Sequence, residues 1–179
     1  METTSTTPAA SPVSVGIRYG IITGLIWIVV DFAMRATGLS FKYSVYLSAS
    51  ILVYILGTVM AHRFFKQNNQ GFMTYGQGLL IVVVLSVISG LMSGIFNYVY
   101  VNFIDPDYAL RMRTDLEAWM STIPNVPEEQ IEKSLEGMSD EQIKSPTQIG
   151  KSLMGAAVGG VITGLIVSIF TKHKRPEFE

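Results

Sequence analysis

Asp31 and Arg35 stand four residues apart in the otherwise apolar run "IWIVVDFAMRA". On a helix that spacing sets a carboxylate and a guanidinium on one face, where they can pair. Charge within a long apolar segment is costly and by default signals function. Both residues lie near one end of their segment, so a structural ion pair is the favoured reading. Asn97, inside a later apolar stretch, is expected to face a neighbouring helix, with Asn102 nearby. Asp105 and Asp107 flank Pro106. Two carboxylates in such a turn would suit a divalent cation facing a phosphorylated lipid, but aspartates around proline are also ordinary helix-stop residues, and that reading is preferred. His62 and His173 adjoin basic residues at segment ends, with no partner implied by spacing. The chain has no Cys, which removes disulfides, thiolate metal sites and cysteine nucleophiles. No catalytic residue, cofactor or metal site is therefore expected.

The elements that carry these residues follow from composition. Only 15% of residues are charged and 49% are hydrophobic, where a soluble domain carries about 25% charged residues. Four windows hold the apolar excess: Val15 to Met34, Tyr43 to Ala61, Gly78 to Phe103 and Ile149 to Phe170. At about 1.5 Å per residue each is long enough to cross about 30 Å of hydrocarbon. The spacing predicts four transmembrane helices in an all-α protein. The first run lacks the basic leader and short apolar core of a cleaved signal peptide, and is read as a retained span. The near-zero net charge gives no general attraction to nucleic acid.

Residues 1–14, rich in Thr, Ser, Pro and Ala, are predicted to be a mobile polar tail, with helix one starting near Ser14. Residues 15–104 hold spans one to three, 105–145 a polar insertion, 146–171 span four, and 172–179 a basic-then-acidic tail. Thr74 with Gln77 fits a capping box for span three. Ser145 to Gln148 fits one for span four, with Pro146 at the first helical position.

The pentapeptide ITGLI occurs at Ile22 to Ile26 and again at Ile162 to Ile166, with ISGLM at Ile88 to Met92. Each copy falls on a series of small residues. Gly16, Gly20 and Gly24 form one ridge; Gly90 and Gly94, with Ser86, form another. On span four, Gly155 with Gly159 and Gly160 with Gly164 offer two overlapping ridges. Helix association in lipid depends on close packing and hydrogen bonds, so these glycines are predicted to be helix-packing residues. Span two offers only Gly57 and Ala61.

The insertion carries ten acidic residues against four basic ones. Met112, Leu116, Trp119, Met120 and Ile123 recur at helical spacing, as do Ile131, Leu135 and Met138 after Pro127. Two short amphipathic helices are expected, with Leu116 and Trp119 as candidate partner-binding residues. Phe96, Tyr98, Tyr100, Phe103 and Tyr108 read as an interfacial aromatic belt. Lys and Arg divide six against six between the two membrane faces. The "KHKR" tail and the long acidic loop favour both termini in the cytoplasm.

The stretch "GFMTYGQGLLIVVVLSVISGLMSGIFNYVYVNFIDPDY", with "GIRYGIITGLI" at the start of span one and a Gly-rich last span, resembles domain of unknown function family 4199. Gly76-Gln77-Gly78 and Phe96 through Pro106 carry it most specifically. The resemblance implies a small four-helix inner-membrane protein of the Bacteroidetes type, with no established activity and no catalytic residues. It also points to an envelope accessory role beside polyprenyl-phosphate glycosyltransferases. The leading expectation is thus a non-enzymatic accessory or assembly protein, in contact with membrane lipid and with a membrane-protein partner or a second copy. The alternative is a small transporter or lipid-handling protein using Asp31, Asn97 and the inner helix ends. A polar cavity at the midplane would favour that alternative, and a dry, glycine-packed interior the first.

Overall fold

The computed structural model describes residues 11–136 and 138–173. Helix α1 spans Pro12–Ala36, two residues earlier than the sequence places it, with Pro12 in the first turn, where a missing N–H costs nothing. Residues 1–10 and 174–179, most of the two expected tails, lie outside the described residues. Gly38 adopts φ 72°, a left-handed turn open to a residue without Cβ, and reverses the chain through a short 3-10 turn, Leu39–Phe41. Helix α2 spans Tyr43–Gln67.

Helix α3 spans Tyr75–Val99 and opens on the expected capping box: Thr74 Oγ accepts from the Gln77 amide, while Gln77 accepts from the Thr74 amide. Its end was not foreseen. From Tyr100 to Ile104 the backbone widens into a π-turn, closed by Asp105 N–H donating 2.8 Å to the Tyr100 carbonyl. The insertion then forms three helices rather than two: α4, Tyr108–Ser121; α5, Glu128–Glu136; and α6, Asp140–Lys144. Helix α7 spans Thr147–Thr171 with Pro146 before it, not inside it. No reciprocal box forms there. Ser145 Oγ accepts weakly from the Thr147 amide, and the Gln148 side chain donates instead to the Gln142 carbonyl.

Among the described residues, four helices are long and apolar enough to cross a membrane: α1, α2, α3 with its π-turn, and α7. Helix α3 is central. Helix α1 runs parallel to it, because a Cβ built on Gly16, Gly20 or Gly24 would meet Val84, Ile88 or Met92 in that order, at 2.7–2.8 Å. Helix α7 runs antiparallel: Gly90 faces Ala156, Gly94 faces Ile149, and Gly160 and Gly164 face Ser86 and Val82. Helix α2 leans on α1, with Gly57 against Thr23.

The predicted ridge on α7 needs correction. A Cβ on Gly155 or Gly159 would meet nothing within 4 Å, so only the Gly160–Gly164 ridge is in contact. Gly78, not foreseen as a packing residue, closes against Ser168. One apolar cluster, Val15, Ala61, Phe65, Met73, Ile81 and Leu85, fills the half near the α2–α3 loop. A second, Tyr100, Val101, Tyr108, Ala109 and Ile143, joins the bundle to the insertion.

Candidate functional site

The polar residues of the spans fall into two groups at different depths. The first is centred on Arg35, in the last turn of α1. Its Nε and one Nη donate to the two oxygens of Asp31 at 3.0 and 2.9 Å, the i, i+4 pair expected from spacing. The same Nη donates to Asn97 Oδ1 of α3 at 3.0 Å. Asn97 thus faces another helix, and its target is a cation. The guanidinium lies 4.6 Å from the ring centres of both Tyr100 and Tyr108, with Phe96 at 5.6 Å. Planar, weakly hydrated and permanently charged, an arginine is suited to such a stack. Only 5% of the Arg35 side chain and 2% of that of Asp31 is exposed. The π-turn presents Tyr100 to the cage, and α4 brings Tyr108 into it; neither partner is signalled by sequence spacing.

This group anchors the insertion. Tyr108 also stacks on Phe41 at 5.3 Å, and Asn102 donates to the Lys144 carbonyl at 3.1 Å, tying α6 to the π-turn. Asp105 is engaged by Arg111 and caps Tyr108 through its backbone carbonyl. Asp107 is exposed at the start of α4 without a side-chain cap bond. Among the described residues, no group of three His, Asp or Glu converges as a metal site would require. On α4, Leu116 is half-buried within the insertion, whereas Trp119 is 45% exposed and rests on Tyr43 at 5.6 Å. The two candidate partner residues therefore differ in exposure.

The second group lies between α2, α3 and α7. Helices α2 and α7 meet where His62 Nδ1 lies 2.8 Å from Thr171 Oγ and Lys66 donates to the Thr171 carbonyl. Toward the insertion they part, leaving a cleft of about 470 Å³. Thr23, Tyr54, Ser89 and Gly159, each near the middle of its helix, line it, with Trp27 and Thr163. The wall is apolar apart from hydroxyls and the Trp27 indole, and carries no charged side chain. Gly159, which packs against nothing, is part of it. Two hydroxyls at this wall, Thr23 Oγ and Tyr54 Oη, are buried without a hydrogen-bond partner among the described residues. Sequence reasoning missed the cleft. The one signal was the pair of glycine phases on α7, of which α3 can occupy only one.

Four apolar helices around a glycine-lined centre, a caged ion pair beneath a helical cap and a cleft at mid-depth define a multi-pass helical membrane protein. Within that class the chain belongs to the family described as protein of unknown function DUF4199, which matches residues 18–173. No curated protein and no solved structure matches it.

Proposed function

We propose that the protein binds a lipid-class apolar ligand in the cleft between α2 and α7, the lipid-handling alternative raised by the sequence. The observation that carries this reading is the cleft itself. Its volume falls within the range of about 300–1,000 Å³ common to small-molecule sites. It sits at the depth where the bilayer supplies hydrocarbon chains, and its uncharged, hydroxyl-bearing wall suits a chain with an ester, carbonyl or hydroxyl group. No catalytic step is assigned to it. In this reading the protein resides in the inner membrane with both termini in the cytoplasm and the insertion on the far side.

Gly159 provides the test. Gly159 lines the cleft, and a Cβ added there would meet nothing within 4 Å. Native mass spectrometry from nanodiscs should find wild-type protein retaining a lipid-class adduct that Gly159→Phe loses without loss of thermal stability. Equal retention by both proteins, or no adduct on wild type, would refute the reading.

The accessory-protein reading has its own support in the docked insertion, which holds Trp119 half-exposed beside Tyr43. Its partner would be a membrane protein, for which the resemblance suggests an envelope glycosyltransferase, or a second copy. Trp119→Ala alone should then release a copurifying protein. Leu116→Ala is the poorer probe because Leu116 is half-buried and offers less free surface.

A further inference from the structure

Helices α2, α3 and α7 share one register. His62 lies level with Gly78 and Ser168, since His62 Nε2 is 3.0 Å from the Gly78 carbonyl and a Cβ on Gly78 would lie 2.9 Å from Ser168 Oγ. Four residues toward the cleft are Thr58, Val82 and Gly164, the last two in contact. Four further are Tyr54, Ser86 and Gly160, where a Cβ on Gly160 would collide with Ser86 Oγ and lie 3.2 Å from Tyr54 Oη. Each level is separated by about 6 Å, and the seam spans about 12 Å. It runs from the end of the bundle to the cleft.

Every level of this seam carries a polar side chain from α2: Tyr54, Thr58, His62. Thr58, His62 and Ser168 are fully buried. Tyr54 Oη, Thr58 Oγ and Ser168 Oγ have no hydrogen-bond partner among the described residues. In hydrocarbon each such group costs free energy, and internal water typically bonds two to four of them. The outer end is polar as well, where Thr171 and Lys66 are half-buried and bond across α2 and α7.

The hydrogen bonds of His62 are compatible with either one or two ring protons. Gly78 offers only a carbonyl oxygen, so Nε2 must carry a proton and donate it. Thr171 has one hydroxyl hydrogen and two acceptors within reach, His62 Nδ1 at 2.8 Å and the Val167 carbonyl at 2.9 Å. With neutral His62 the hydroxyl donates to Nδ1. When Nδ1 gains a proton it donates to Thr171 Oγ, and the hydroxyl turns to Val167. Heavy atoms need not move. Lys66 is the charged group facing His62, and neither α3 nor α7 bears an Asp or Glu.

We propose that this seam binds a short file of water molecules, a hydrated half-channel leading from the membrane face at Lys66 and Thr171, past His62, to the cleft at Tyr54. It does not depend on what occupies the cleft. Water-edited NMR of the full chain in nanodiscs, with labelled Ser, Thr, His, Val and Leu, tests it directly. Magnetisation from water should reach Thr58 and Ser168 on the order of tenfold faster than Leu56 and Leu165, exposed apolar residues in the same turns of α2 and α7. Thr58→Val should slow transfer to Ser86 while leaving His62 unchanged. Transfer to Thr58 and Ser168 no faster than to Leu56 and Leu165 would overturn the proposal, as would a Thr58→Val protein in which Ser86 is as wet as before.

Discussion

Arg35 holds its charge at any accessible pH, so whatever surrounds it must be compatible with a cation. Asp31 answers the charge, Asn97 takes a third N–H bond, and Tyr100 and Tyr108 present ring faces. Removing one member of such a buried pair commonly costs about 3–5 kcal/mol, because the other charge is left unanswered. Asp31→Asn should therefore destabilise the protein more than Asn97→Ala, as read by thermal unfolding in detergent. Arg35→Lys keeps the charge but loses the planar fork and the stack. It should leave the spans folded while amide hydrogen exchange in α4 accelerates; unchanged exchange there would contradict the anchoring role of the cage. The i, i+4 pair was legible in the sequence because helix geometry alone produces it. The tyrosines were not, since Tyr108 reaches Arg35 only after a π-turn and a tight loop that no periodicity encodes.

Among the helices, the glycines grade the packing. At Gly90 an added Cβ would collide with Ala156 Cβ, and at Gly20 it would lie 2.9 Å from the Leu85 carbonyl oxygen; neither neighbour can turn aside. At Gly24 the first obstacle is the sulfur of Met92, the movable end of a flexible chain. Overpacking typically costs about 1–3 kcal/mol. Gly90→Leu and Gly20→Leu should lower the melting temperature clearly, Gly24→Ala by less, since the nearest backbone atom it meets is Ser89 Cα at 3.3 Å, and Gly155→Leu not measurably. Equal losses at Gly90 and Gly155 would mean that α7 presents a different face to α3. The four spans were plain in the sequence because length and lack of charge suffice to mark them. Which glycines touch was not, since both phases on α7 read alike until α3 selects one. The cleft was hidden for the same reason: the space is defined by all four spans jointly and by no segment alone.

For the whole molecule, the ends of the bundle differ in kind. One end carries the insertion, and the other carries the α2–α3 loop and an isolated antiparallel bridge between Met73 and His173. A chain without cysteine allows single-cysteine mapping of these ends. Ser134→Cys should react with an impermeant maleimide in intact cells and Asn68→Cys only after permeabilisation; the reverse pattern would invert the proposed orientation. The π-turn has a separate consequence for descent. Such a turn is an α-helix with one residue too many, and each residue advances a helix by about 100°. Losing one residue between Tyr100 and Ile104 would restore the regular helix, leave every span intact, and swing Tyr108 with the whole insertion away from Arg35. A single-codon deletion there would spare membrane insertion while undoing the cap, so the length of this short stretch sets where the insertion docks.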